Sequence, residues 1–547
     1  MSSYASSHSS LFHPMEDEKK PAGNAVPIDN GPGHAGHAGS YGHDTGFAPY
    51  VGDAEVGVLN KVDPLKQDLK GRHMQMIAIG GAIGAGLFVG SGSALASGGP
   101  APLIICYLIV GVMLLFTSQA LAELAVLYPV NGAFYTYVLI AASITIQFWP
   151  RGAEINVGVW ITLFLFVLSM IQIFGVRGYG EVEFVLSMVK ICACTGFIIL
   201  GIIIDCGGVG NQGYLGAKYW HNPGAFANGF NGFAGVFVVA AFAFGGTELV
   251  GLAAAEATNP LKSVPKATKQ VFWRIAFFYI VNLFILGLII PYTDDRLLSA
   301  SGANTKSSPF VLAIQDAGIQ VLPSIFNVVI TLSVISVANS CTFGSTRTMQ
   351  ALGERGMGPK FLAYVDKSGR PLWCVLIQIM FGFLAFIGES GKSKTVFNWL
   401  LALTGLSFFF VWGSICLTHI RFRYAWKAHG YSLDQIPYKP SLGVIGSWIG
   451  LVLNILCLMA TFYNALYPSP NAQPDASAFF QAYLAAPIVI VLYVSYKVYT
   501  RDWRMYIPVH EIDLKTGMRL HVPGDADQQL PVKTWANLPM RMVHALI

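Results

Sequence analysis

From residue 76 to residue 498 the sequence repeats one pattern: an apolar run of about 20 residues, then a short polar connection. At about 1.5 Å of rise per residue, such a run is long enough as a helix to cross roughly 30 Å of hydrocarbon. Lipid offers no hydrogen bonds, so runs of this length must satisfy their backbone groups internally, as helices do. Composition agrees, because the 547 residues are 54% hydrophobic and 12% charged, whereas soluble chains are about 25% charged. The chain therefore reads as an all-α polytopic membrane protein.

Twelve spans are expected, at 76–96, 103–121, 133–149, 157–174, 182–204, 230–254, 275–290, 321–342, 373–387, 396–419, 445–463 and 479–498. A cytoplasmic tail over 1–75 and another over 499–547 would flank the membrane domain. With an inner amino terminus and all twelve runs crossing, inner connections hold about 21 Lys and Arg and outer ones about 6, which places both termini in the cytosol. The third run is the weak one. Its 17 residues make roughly 26 Å of helix, barely a crossing. If it failed to cross, the balance would become about 10 inside and 17 outside.

Several function classes drop out. A net charge of +5 without a basic stripe gives no basis for nucleic-acid binding. The eight cysteines contain no C-x-x-C pair and read as small packing residues. His34, His37 and His43 lie among glycines in a tail whose composition is that of a disordered segment. No P-loop, metal triad or nucleophile elbow is present, so the chain reads as neither an enzyme nor an ATP-driven pump.

The chemistry is concentrated in three runs. The first holds Gly80, Gly81, Ala82, Gly84, Ala85, Gly86, Gly90 and Gly92. Glycine costs a helix interior about 1 kcal/mol per residue. Such density has two readings: close helix packing, or a helix broken in mid-membrane whose free amides face an anion. The sixth run holds Phe242, Phe244, Gly245, Gly246 and a carboxylate, Glu248. An ionisable group at that depth costs about 2.5–3.5 kcal/mol and is either functional or hydrogen-bonded between helices. The fifth holds Lys190, about eight residues or 12 Å from the nearer end, a long reach for snorkelling. Glycine breaks in the first and sixth runs suit an inverted repeat of five helices with a midplane site for a zwitterion. Gln119, Glu123, Asn282, Ser333, Ser336, Asn339, Thr404, Ser407 and Asn454 read as interhelical hydrogen-bonding groups.

Taken together, the residues from Gly80 to Gly92, Ser97-Gly98-Gly99-Pro100, Glu123-Leu124-Ala125, Tyr128-Pro129, Phe174-Gly175-Val176-Arg177-Gly178-Tyr179-Gly180-Glu181, Phe244 to Glu248, Asn259-Pro260 and Ser345-Thr346-Arg347 resemble the fungal amino acid permeases, YAT-type, of the amino acid-polyamine-organocation superfamily. The resemblance implies a leucine-transporter-like five-plus-five inverted repeat with two further helices. It also implies proton-coupled amino acid import at the plasma membrane, with the proton as coupling ion and no other cofactor. By the same resemblance, Gly84, Ala85 and Gly86 would meet the substrate carboxylate, and carbonyls near Ala82, Phe242 and Gly245 the ammonium. Phe244 would cover the site, while Lys190 and Glu248 would serve proton coupling.

Two departures from the family pattern stand out. Ala85 replaces a Thr or Ser, removing one hydroxyl from the carboxylate site. Family members also carry about 30 more residues between the counterparts of Val138 and Ala141, which would restore a full-length third crossing. The chain therefore reads as a deletion or splice form of such a permease. The other readings are a non-transporting amino acid sensor and an inactive product. Lys19 and Lys20, beside Glu16, Asp17 and Glu18, mark where ubiquitin-ligase adaptors would act in relatives.

Overall fold

The computed structural model describes residues 68–81, 83–127, 156–210, 213–298, 308–389, 393–467, 475–501, 503–504 and 506–514. The third apolar run, Ala82, residues 1–67 and residues 515–547 lie outside the described residues. Residues Leu59–Ile547 form one compact unit. Regular structure among the described residues is helical, and the β contact is an isolated parallel bridge between Leu69 and Ala257.

The first run is two half-helices. α1 (Gly71–Gly80) stops, and the chain resumes through a π-helical turn (Gly86–Gly90) into α2 (Ser91–Gly98). Gly99, at φ 86°, ends α2 in a conformation that only glycine adopts without strain, and Pro100 then opens α3 (Pro100–Leu127). The Asn156 side chain accepts the Gly158 amide at 2.6 Å and so starts α4 (Val157–Ile173). After it comes α5 (Gly175–Asp205). The sixth run is also broken, into α6 (Gly229–Phe244) and α7 (Leu249–Ala253). α8 (Pro260–Trp273), capped by Asn259, continues through a π-helical stretch (Arg274–Val281) into α9 (Asn282–Ile289). The remaining α-helices of eight or more residues are α10 (Pro309–Asp316), α11 (Leu322–Glu354), α12 (Leu372–Gly382), α13 (Ser393–Ala428), α14 (Gly443–Leu466), α15 (Ala476–Tyr483) and α16 (Ala485–Thr500).

Seven helical stretches among the described residues are long and apolar enough to cross a membrane. Their outward faces carry Val185 (59% exposed), Val328 (60%) and Met459 (62%), large apolar side chains that suit lipid rather than water. Inside, α1 packs on α5 and α8, α2 and α3 on α6, and α11 on α4 and α5. The broken runs thus lie at the centre.

Helix limits correct one part of the charge reading. The seventh run starts at Pro260 rather than at residue 275, so Arg274 is a fully buried side chain within a 30-residue helical stretch, not a connection charge. Arg347 in α11 and Arg423 in α13 are likewise buried and ion-paired. A hydropathy window ends at the first charge, whereas a helix continues wherever that charge finds a partner. Of the eight cysteines, all free, six are buried and Cys192 and Cys206 are exposed.

Candidate functional site

The two breaks meet. Gly86 lies so close to α6 that a Cβ there would sit 2.2 Å from the Ala243 Cα. A Cβ on Gly84 would meet Val337 of α11 at 2.4 Å, and one on Gly245 the Phe408 ring of α13 at 2.2 Å. Both readings of the glycine-dense stretch therefore hold: the helix is broken, and its glycines are packing contacts. The amides of Gly84, Ala85 and Gly86 open the second half-helix, whose first backbone bonds run from Leu87 and Phe88 back to the Gly84 carbonyl. Amides at such a start have no earlier turn to bond to, which is the geometry an anion needs.

On the sixth run, Gly246 at φ 92° makes the turn that interrupts the helix. Several carbonyls freed by the break already have donors. Ala243 accepts the Tyr279 hydroxyl at 2.7 Å, Phe244 accepts the Thr247 hydroxyl at 2.8 Å, and Phe242 accepts the Gly245 amide at 3.3 Å. The Phe244 ring is fully buried beside Tyr279 (4.4 Å between centroids) and Tyr107 (5.6 Å), and the Tyr107 hydroxyl donates to the Gly86 carbonyl at 3.5 Å. An aromatic cluster thus backs the junction of the two breaks.

Lys190 is fully buried and does not snorkel. Its Nζ donates to the Gly80 carbonyl, the last residue of α1, at 2.7 Å, and lies 3.6 Å from Glu183 Oε1. Glu183, fully buried, also accepts the Ser336 hydroxyl at 2.7 Å and the Ser187 hydroxyl at 3.2 Å. One side chain therefore ties the broken end of the first run to α5, and its counter-ion ties α5 to α11. Reading the sequence missed Glu183, although the motif quoted above stops two residues short of it. The signal was present, because residues seven apart fall on one helix face.

Glu248 sits elsewhere. Its carboxylate accepts the Gly246 amide at 3.2 Å and the Trp412 indole N–H at 3.5 Å, so Lys190 and Glu248 are not partners. Behind it lies Arg274, which donates to the Ala78 carbonyl at 2.9 Å and to the Thr247 hydroxyl, linking α1 to the sixth-run break. Its Nε is buried without a hydrogen-bond partner.

The secondary polar candidates divide. Glu123 bonds Arg423 (2.6 Å) and lies 3.1 Å from His419, and Gln172 donates to Asn339 at 3.0 Å; both are interhelical. Gln119 accepts the Ser441 hydroxyl at 3.4 Å. Asn282, Ser333, Ser407 and Asn454 donate instead to carbonyls of their own helical stretches. Among the described residues no group of three His, Cys, Asp or Glu could hold a metal. The open groove beside Phe166, Met170, Phe174 and Val182 is apolar and lies on α4 and α5, so it lacks donors for a zwitterion.

The chain matches the family model for amino acid permeases in two segments, residues 73–139 and 138–508. It is 50% identical to an uncharacterized amino-acid permease of Schizosaccharomyces pombe, with 95% of this chain and 91% of the relative covered. It is 47% identical to the general amino-acid permease of Saccharomyces cerevisiae, covering 86% and 83% respectively. It is also 48% identical to a cationic amino acid transporter of Schizosaccharomyces pombe, covering 85% and 84%. The first alignment runs over 549 positions, whereas 95% of this 547-residue chain is about 520, so about 30 of those positions face no residue here.

Proposed function

The chain belongs to the amino acid permease family, and from that membership we propose that it imports amino acids across the plasma membrane by proton-coupled alternating access. Twelve crossings and two cytoplasmic termini complete this reading. The substrate is bound as a zwitterion, its carboxylate on the amides of Gly84, Ala85 and Gly86 and its ammonium on carbonyls of the sixth-run break.

The observation that carries the proposal is the placement of Lys190, buried against the end of broken α1 and beside Glu183. A proton added to Glu183 removes the attraction across 3.6 Å and leaves the ammonium held by the Gly80 carbonyl. The tie between the first break and α11, which runs through Glu183 and Ser336, thus depends on proton occupancy, a differential interaction of the kind coupling requires. Glu248, which accepts the Gly246 amide and the Trp412 indole N–H at the sixth break, is the second acidic group of this coupling reading. The test is uptake of labelled amino acid by proteoliposomes under an imposed pH gradient. Accumulation is expected with the outside acidic, and accumulation indifferent to the gradient refutes the coupling.

A second reading has its own support. The family match falls in two pieces that meet at residues 138–139, and about 30 alignment positions lack a residue in this chain. We infer that a segment within the third run has been lost, which leaves family membership intact and impairs transport. Transcript sequencing across 139–141, with uptake measured before and after insertion of the relative's segment, decides between the readings.

A further inference from the structure

We propose that Glu256 and Arg347 form a latch that closes the cytoplasmic end of a passage leading to the Lys190–Glu183 pair. The proposal rests on the alternating-access reading above. Glu256 ends the 3-10 turn (Ala254–Glu256) that follows α7, and Arg347 lies in α11. Their contact, Nε to Oε1 at 2.7 Å, therefore joins the broken sixth run to a helix outside the two breaks. Both side chains are buried, at 0% and 3% exposure. The entry to α1 is stitched to the same corner: the Leu69 amide donates to the Glu256 carbonyl, and the Thr258 amide to the Leu69 carbonyl, each at 3.0 Å. Releasing Arg347 frees both half-helices on this side together.

A line of contacts runs inward from the latch. The Arg347 guanidinium lies over the Phe343 ring at 4.2 Å. Phe343 stacks on Tyr179 of α5, with centroids 4.1 Å apart and planes 3° apart. The Tyr179 hydroxyl donates to Ser340 at 3.2 Å, and Ser336, one turn further, bonds Glu183. Residues 336, 340, 343 and 347 share one face of α11. The 11 residue steps from Ser336 to Arg347 span about 16 Å. The coupling pair is thus about three helical turns behind the latch, sealed by a stacked cation and two rings.

The chemistry favours a releasable contact over a purely structural one. A buried ion pair is weak support for stability, since an apolar pair of similar volume is often as stable. This one is also incompletely bonded: Glu256 Oε2 is buried with no hydrogen-bond partner, and Arg347 donates one N–H to Thr346 at 3.1 Å. Such a pair holds two groups of helices in register and lets go as a unit.

Native Cys341 reports on the passage. It is buried on α11, next to Ser340, which accepts the Tyr179 hydroxyl. The experiment applies a membrane-impermeant maleimide to the cytoplasmic face of membranes holding the full chain and follows modification of the Cys341 peptide by mass spectrometry. The double variant Glu256→Gln with Arg347→Met, which leaves no buried charge unpaired, is expected to label about tenfold faster than the parent, the shift produced by removing a contact made only in the closed state. Arg347→Lys, which keeps the charge, is expected to label slowly. A double variant that labels at the parent rate overturns the latch, as does fast labelling of Arg347→Lys, which would assign closure to side-chain shape rather than to the charge pair. Labelling needs no uptake, so a parent chain that fails to accumulate amino acids under a pH gradient refutes the transport reading and leaves this result standing.

Discussion

Replacing Lys190 with Met keeps most of the buried volume and removes only the ammonium. At 3.6 Å and an effective dielectric near 20, the attraction to Glu183 is about 4–5 kcal/mol. The bond to the Gly80 carbonyl is lost as well, worth about 1.5–3 kcal/mol for a charged donor. Desolvation of the ammonium offsets part of both. Breaking a buried pair from one side costs about 3–5 kcal/mol, because the remaining carboxylate has no counter-ion. Lys190→Met is therefore expected to destabilise the chain by about 3–5 kcal/mol, and adding Glu183→Gln should recover at least about 2 kcal/mol of it. Ser336 and Ser187 can still bond the amide. Unfolding of purified protein in detergent, followed by fluorescence, measures both variants. Uptake assays add a functional axis: Lys190→Met should lose accumulation against a gradient and retain exchange. Parent-like stability of Lys190→Met, or a double variant as unstable as the two single losses summed, would refute the assignment of the pair.

Further outcomes follow from other contacts. Gly245→Ala places a Cβ 2.2 Å from the Phe408 ring and should impair transport, with Phe408→Leu restoring it in an uptake assay. Gly86→Ala meets backbone rather than a movable ring, so it should lose correctly folded protein, seen as failure to elute as a single species. Arg423→Met strands buried Glu123 beside His419 and should cost about 3–5 kcal/mol in the same unfolding assay. On the connection after α9, Arg296 bonds Asp294 and holds its carboxyl below the usual carboxylate range. A group with a depressed folded value stabilises above its unfolded pKa and loses that contribution as pH falls through the folded value. Hydrogen-exchange protection over residues 291–298, taken relative to the intrinsic rate at each pH, should thus fall below about pH 4 and be level above it.

Much of the fold was legible because hydropathy and glycine act over whole segments. Glycine density marked both broken runs, with close helix packing as its other reading, and Lys190 stood out by its depth in an apolar run. What stayed hidden depends on partners distant in sequence. Arg274, Arg347 and Arg423 look like connection charges until Ala78, Glu256 and Glu123 are brought against them. Glu183 lies near the start of a long helix, where a carboxylate reads as interfacial; only the approach of α11 with Ser336 shows it to be interior. The glycines were legible as unusual, but whether they served a ligand or a neighbour could not be read without Val337, Ala243 and Phe408 in place.

Those three neighbours also limit how such a chain can change its diet. If selectivity were set at Gly84, Gly86 and Gly245, mutation there would be the natural route to a new substrate, yet each position is already filled by another helix. Tolerable variation lies one layer back. Val337 and Phe408 can be trimmed without moving backbone, whereas Gly86, facing the Ala243 Cα, offers no such freedom. A search for altered preference should therefore randomise the faces of α11 and α13 that cover the breaks and leave the glycines untouched.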